Sequence, residues 1–114
     1  MAEEYFPKQT KVSADVIKKL KIYSLTNNFD NLQELFFVAI NDFLKYRLEV
    51  QKNDGQVAYL ASPRTGKELN IKLTQSMIAR ITKISEFDDT SVRRFLYTAI
   101  MHFFEKNIEK KRGE

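Results

Sequence analysis

Residues 32–44 have the sequence Leu-Gln-Glu-Leu-Phe-Phe-Val-Ala-Ile-Asn-Asp-Phe-Leu, in which apolar side chains recur three and four positions apart. This spacing predicts an α-helix with one broad apolar face. The same pattern returns later in the chain with unrelated polar residues, and Ala99 then stands in the place of Ala39. The matching apolar positions are Leu32, Leu35, Phe36, Ala39, Ile40, Phe43 and Leu44 in the first copy and Val92, Phe95, Leu96, Ala99, Ile100, Phe103 and Phe104 in the second. The chain therefore contains an internal repeat.

A short strand and a first helix precede the apolar helix in each copy. Residues 68–73, Glu-Leu-Asn-Ile-Lys-Leu, alternate between polar and apolar side chains, which is typical of a strand with one buried face. Residues 8–12 alternate more weakly, and Pro7 is expected to limit the length of that strand. Ser13 and Thr74 follow the two strands, and Asn31 and Ser91 stand at the starts of the two apolar helices. All four belong to the residue types that cap helix N-termini. The pattern predicts the order strand, helix, helix in both copies.

The spacing between the copies changes by one residue along the chain. Val12 corresponds to Leu73 at an offset of 61, whereas Ala39 corresponds to Ala99 at an offset of 60. Loops accept such changes more readily than helices do. We therefore expect the loop between the two helices to be one residue shorter in the second copy.

The domain organisation follows from the length of the chain. A chain of 114 residues forms one domain, and each copy is too short to bury its apolar face alone, so we expect the two copies to cover each other. The predicted single domain, residues 1–114, comprises a first repeat over 8–46, a connector over 47–67 and a second repeat over 68–106. Within the connector, Asn53-Asp54-Gly55 predicts a turn, and residues 57–60 predict a short extended piece against the core.

Composition and the remaining motifs exclude several classes of protein. The absence of cysteine excludes disulfide frameworks and thiolate metal sites. No apolar run approaches the roughly 20 residues of a membrane span, and Met-Ala-Glu-Glu does not open a signal peptide, so a cytoplasmic protein is expected. His102 has no partner set for metal binding or nucleophilic catalysis and is predicted to be a surface residue. Arg64-Thr-Gly-Lys67 lacks the first glycine of a phosphate-binding loop and is predicted to be linker. We therefore expect no enzyme activity, no metal, no cofactor and no small-molecule substrate.

The order strand, helix, helix, repeated twice with very short strands, resembles the ribbon-helix-helix family of Arc-like and MetJ-like DNA-binding proteins. In that family two copies pair, and their strands form an antiparallel ribbon that lies in the major groove. Here both copies lie on one chain, which is similar to tandem members such as the TraY protein of F-type conjugation. The resemblance covers residues 8–46 and 67–106 and rests on order and pattern. It implies a mainly α fold with a short two-stranded antiparallel ribbon, an intramolecular tandem ribbon-helix-helix of order β-α-α-β-α-α.

The outward residues of such a ribbon are the candidates for reading DNA bases. A two-stranded ribbon fits the major groove, where each base pair presents a distinct pattern of donors and acceptors. Gln and Asn can form two hydrogen bonds with adenine, and Lys can donate to guanine. The predicted base-reading residues are Gln9, Lys11, Asn70 and Lys72. Glu68 is a secondary candidate, which could accept from cytosine or repel phosphate.

The resemblance also implies phosphate contacts at the start of each apolar helix, where free backbone amides attract anions. The predicted phosphate contacts are Asn31, Ser91, Arg93 and Arg94. The first copy has Asp30 and Glu34 at this place, whereas the second has two arginines. Acid beside a phosphate is unfavourable, so the second copy is expected to hold DNA more strongly than the first.

Together these features indicate a sequence-specific double-stranded DNA-binding protein. The net charge of +4 and the pI of about 9.3 agree with such a partner without deciding it. The leading hypothesis is a transcriptional repressor that prefers an asymmetric site, because its two strands differ, and that binds side by side with further copies. One alternative is an accessory DNA-binding factor of plasmid transfer or maintenance, of the relaxosome or partition type. A second alternative is a helical protein-interaction module or antitoxin-like partner.

Overall fold

The computed structural model describes residues 4–109, so the ends of the predicted domain, residues 1–3 and 110–114, lie outside the described residues. Within this range the chain forms two strands and four helices. In chain order they are β1 (Tyr5–Val12), α1 (Ala14–Thr26), α2 (Leu32–Lys52), β2 (Lys67–Thr74), α3 (Gln75–Phe87) and α4 (Val92–Asn107). The two strands pair antiparallel in one sheet. A mainly helical fold with a two-stranded antiparallel sheet is therefore confirmed.

Strand β1 is longer than its weak alternation predicts. It begins at Tyr5 and continues through Pro7, which lies opposite Lys72. The N–H and the C=O of Lys72 are both bonded to the side-chain amide of Gln33, so the main chain at this pair faces away from the other strand. The missing N–H of Pro7 therefore costs no bond between the strands, and the expectation that Pro7 limits β1 was wrong.

Each helix starts at a capping residue, as the sequence predicts. The side-chain oxygens of Ser13, Asn31, Thr74 and Ser91 each accept a hydrogen bond from the backbone N–H three residues on. The loops after α1 and α3 also correspond, because Asn28 and Asp89 both have positive φ. The second loop is one residue shorter, since α4 is capped two residues after Asp89 and α2 three residues after Asn28. The predicted change of spacing is confirmed.

The core forms where the apolar faces of α2 and α4 meet. Ala39 and Ala99 are both fully buried, and the rings of Phe43 and Phe95 contact edge to face with centroids 5.2 Å apart. The inner face of the sheet covers one side of this core with Val12, Leu69, Ile71 and Leu73. Full burial of each large apolar side chain contributes about 1.5 to 3 kcal/mol, so the two copies stabilise each other.

Helix α2 continues to Lys52, six residues into the predicted connector. Arg47, the first of these residues, is buried and forms a two-point ion pair with Asp88: Nε lies 2.6 Å from Oδ2 and Nη2 lies 2.8 Å from Oδ1. The hydroxyl of Tyr59 donates to the same carboxylate at 2.5 Å. The hydrogen bond from Arg47 holds the pKa of Asp88 below its usual range. This ion pair fastens the end of α2 to the loop between α3 and α4.

The rest of the connector, residues 53–66, forms no helix or strand and crosses the surface of the core. The predicted turn forms at residues 53–55, where Asp54 has φ 58° and the N–H of Gly55 donates to the carbonyl of Val50. No strand forms at residues 57–60. Instead, the ring of Tyr59 packs against Phe43 and Phe95, and the N–H of Leu60 donates to the hydroxyl of Thr98 at 2.9 Å. The predicted contact of this segment with the core therefore forms without strand pairing.

Candidate nucleic-acid interface

The outer face of the sheet is polar and exposed. Going along β1, Pro7 lies opposite Lys72, Gln9 opposite Asn70 and Lys11 opposite Glu68. All of these residues are exposed except Lys11, which is half-buried. On the inner face, Thr10, Val12, Leu69, Ile71 and Leu73 are buried and Lys8 is half-buried. The sheet thus brings all four predicted base-reading residues together on one face.

The register of the two strands follows the sequence repeat. Gln9 and Asn70 occupy the same position in the two copies, and they pair directly with each other. Lys11 and Lys72, which also correspond, lie on opposite sides of this central pair. Because the main chain of Lys72 bonds outward, the pairs on the outer face are the non-hydrogen-bonded ones, whose Cα atoms approach to about 4.5 Å. The two carboxamide side chains are therefore neighbours at the centre of the ribbon.

The start of each apolar helix is joined to a strand of the ribbon by one pair of polar residues. The buried hydroxyl of Thr10 donates to the carbonyl of Arg93 at 3.1 Å, which joins β1 to α4. The amide of Gln33 joins α2 to β2, since it donates to the carbonyl of Lys72 at 2.6 Å and accepts from its N–H at 3.0 Å. Neither residue was predicted to have this role. The signal for Thr10 was a polar residue on the inner face of a strand, which requires a partner.

The starts of the two apolar helices carry opposite charge. Arg93 and Arg94 are exposed at the start of α4, and Nε of Arg93 donates to the hydroxyl of Ser62 at 3.4 Å. At the start of α2, Glu34 and Asp30 are exposed instead. The side-chain oxygens of Asn31 and Ser91, both predicted phosphate contacts, accept from the backbone N–H groups of Glu34 and Arg94. These side-chain oxygens are therefore already occupied by the caps. A phosphate at either helix start would be bound by other atoms, such as the free backbone amides of the first helical turn.

The two lysines of the ribbon differ in their surroundings. The ammonium group of Lys11 donates to the carbonyl of Arg64 at 3.2 Å, which holds it at the connector edge of the ribbon. The side chain of Lys72 forms no hydrogen bond or ion pair with any residue in the range 4–109. Lys72 is therefore the freer donor on this face.

A groove of about 540 Å³ lies beside the start of α2 and the edge of β2. Tyr5 forms one wall, and its ring stacks on Phe37 with centroids 6.2 Å apart. Asn31, Gln33, Glu34 and Lys72 complete the lining. The first copy thus presents an aromatic ring and a carboxylate at the place where the second copy presents arginines.

His102 is not the surface residue that the sequence predicts. Its imidazole is half-buried between Phe43 and Tyr46, with ring centroids 5.8 Å and 4.6 Å away. Burial lowers the pKa of His102, and its buried Nδ1 has no hydrogen-bond partner among residues 4–109. Within the same residues, no group of His, Asp and Glu side chains is placed to hold a metal ion. The described helices also include none with the length and apolar character that a membrane span needs.

No protein-family model, curated protein or solved structure matches this chain. Function is therefore inferred from the placement and chemistry of its own residues. The features that bear on function are the polar ribbon, the two flanking helix starts and the connector beside them.

Proposed function

We propose that this chain is a sequence-specific double-stranded DNA-binding protein of the tandem ribbon-helix-helix type, which places its two-stranded ribbon in the major groove. The observation that carries the proposal is the polar, exposed outer face of a sheet whose inner face packs on the core, with Gln9 paired to Asn70 at its centre. This pairing of corresponding residues supports an approximate two-fold axis between the repeats. A two-stranded ribbon is also narrow enough for a groove about 12 Å wide.

The chemistry of the outer face suits base recognition. The carboxamides of Gln9 and Asn70 can each form two hydrogen bonds with adenine, and the ammonium of Lys72 can donate to guanine. Each good pairing contributes about 1 to 3 kcal/mol of discrimination. Lys11 reads a base only if it leaves the carbonyl of Arg64, because its ammonium donates there.

The flanking helix starts support backbone binding on either side of the ribbon. Free amides at a helix start attract phosphate, and exposed arginines strengthen this attraction at α4. The acidic side chains at the start of α2 oppose it. The two halves of the interface therefore differ both in base readout and in phosphate binding, and an asymmetric DNA site is expected.

Transcriptional repression is the role that we propose for this binding, with copies of the chain placed side by side to lengthen the site. Occlusion of a promoter requires only tight and specific binding. An accessory role in plasmid transfer or maintenance needs the same interface, and the location of the bound site distinguishes the two. A site over a promoter indicates repression, whereas a site beside a transfer origin or partition locus indicates the accessory role.

Selection of bound duplexes from a random pool tests the proposal. The native chain is compared with Asn70→Ala/Lys72→Ala on the ribbon and with Asn41→Ala/Lys45→Ala, which removes the same residue types from exposed positions of α2. Circular dichroism verifies that all three are folded. We expect the native chain and the α2 variant to recover one asymmetric motif that the ribbon variant loses. No enrichment by the folded native chain would overturn the proposal and favour a helical protein-interaction module.

A further inference from the structure

The last part of the connector lies beside β1 and the start of α4. A Cβ atom added to Gly66 would stand 2.8 Å from the carbonyl oxygen of Val12, so only glycine permits this approach of the two backbones. Ser62 accepts a hydrogen bond from Arg93, and the carbonyl of Arg64 accepts one from Lys11. The segment is thus held to both elements that form one half of the proposed interface.

This placement adds positive charge to one flank of the ribbon only. Arg64 and Lys67 are exposed, and they join the exposed Arg93 and Arg94 at the start of α4. Among the ribbon residues there, Glu68 supplies the one carboxylate, opposite Lys11. The corresponding flank, at the start of α2, carries Asp30, Glu34 and the Tyr5 ring beside Lys72, and no connector residue lines its groove.

We propose that Arg64 and Lys67, together with Arg93, form a phosphate-binding strip that contacts the DNA backbone on the α4 flank. This inference rests on the proposed function, since it requires the ribbon to enter the major groove. A ribbon in that groove has a phosphate backbone along each side, and contacts to phosphate fix the orientation of a protein on its site. The strip therefore sets which way the chain faces on an asymmetric sequence. The connector is a DNA-binding element in addition to a link between repeats.

Counterion release makes this strip measurable through the dependence of affinity on salt. Each phosphate neutralised contributes about −0.9 to the slope of log affinity against log salt concentration. Removal of two contacts should therefore reduce the slope by about 1.8. Across a fourfold rise in salt, the affinity of the native chain should fall about twelvefold more than that of a variant without the two connector charges.

The experiment compares three folded proteins on the duplex that the native chain selects, between 50 and 200 mM salt. Arg64→Gln/Lys67→Gln removes the two connector charges of the strip and keeps Arg93. Lys45→Gln/Lys52→Gln removes two exposed charges from α2, where Lys52 lies roughly 28 Å along the helix from Gln33. Phosphate-ethylation interference then locates the backbone contacts. We expect the first variant to lose slope and to lose interference on one flank only, while the second behaves like the native chain.

Two results would overturn the inference. Only the second would also overturn the proposed function. If the native chain binds its site and both variants keep the native slope and interference pattern, Arg64 and Lys67 do not contact DNA; the connector is then no part of the interface, and the proposed function stands. If the folded native chain binds no duplex at any salt concentration in the series, the proposed function and the strip fail together.

Discussion

The two repeats share one scaffold and differ in what their polar residues do at the junction of strand and helix. In the first, Gln33 uses its side chain to bind the main chain of Lys72. In the second, the corresponding Arg93 accepts the Thr10 hydroxyl with its main chain, so its guanidinium group remains at the surface beside Ser62. The difference shows that one apolar pattern can support two unlike polar surfaces, because the core does not use these side chains.

The largest expected effect concerns the loops between the helices of each repeat. Asp88→Ala leaves the buried Arg47 without its carboxylate, whereas Asn27→Ala at the corresponding place removes only an exposed bond to a helix carbonyl. We expect Asp88→Ala to lower the free energy of unfolding by about 3 kcal/mol and Asn27→Ala by less than about 1 kcal/mol. Urea denaturation followed by circular dichroism measures both. Equal losses would show that the ion pair does not distinguish the repeats.

The next largest expected effect is on DNA affinity, and it distinguishes the two lysines of the ribbon. Lys72→Ala should weaken binding to the selected duplex by roughly 1 to 3 kcal/mol, since its ammonium is free to donate to a base. Lys11→Ala should cost less, because the carbonyl of Arg64 already holds that ammonium. Fluorescence anisotropy with a labelled duplex measures the two affinities. A loss for Lys11→Ala as large as that for Lys72→Ala would mean that Lys11 leaves the connector when DNA binds.

Low pH should destabilise the fold in part through protonation of Asp88. The hydrogen bond from Arg47 lowers the pKa of this carboxyl in the folded chain, so its ionised form stabilises the fold above the unfolded pKa of about 3.9. That stabilisation is lost as the pH falls through the lower, folded value. When the pH is lowered below 4, the urea midpoint of the native chain should therefore decrease by more than that of Asp88→Asn. Parallel curves for the two proteins would contradict this origin of the acid sensitivity.

The smallest expected effect comes from neutralising one charge at the start of α4 or of α2. Arg94→Gln should weaken binding to specific and unrelated duplexes alike, by about threefold near physiological salt. Glu34→Gln, at the corresponding position, should strengthen binding by a similar factor because it removes an acid from the flank. Anisotropy titrations with the selected and a scrambled duplex measure both. A change confined to the selected duplex would place Arg94 on a base rather than on the backbone.

The sequence predicted the features that depend on local patterns. Apolar spacing placed the helices and the outer face of the strands, and the residue types at Ser13, Asn31, Thr74 and Ser91 placed the caps. These signals act over a few residues, so they can be read without knowledge of the fold. The register that pairs Gln9 with Asn70 then follows the symmetry of the repeat.

The features that were missed depend on partners far apart in the chain. Arg47 stays helical and buried because Asp88 binds it, and Pro7 fits in β1 because Gln33 binds the residue opposite. The contact of Gly66 with Val12, which brings the connector beside β1, depends in the same way on the pairing of the two strands. The partner of a buried polar residue can lie far away in the sequence, so it is identified only in the folded chain.

The most direct test of the central proposal is a ¹⁵N NMR titration of the protein with its selected duplex. The backbone amides of β1, β2 and the start of α4 should show the largest shifts, because they surround the proposed groove contact. The amides near Lys52, at the far end of α2, should show the smallest. Largest shifts at the far end of α2, with the ribbon amides unchanged, would contradict the ribbon as the DNA-reading element.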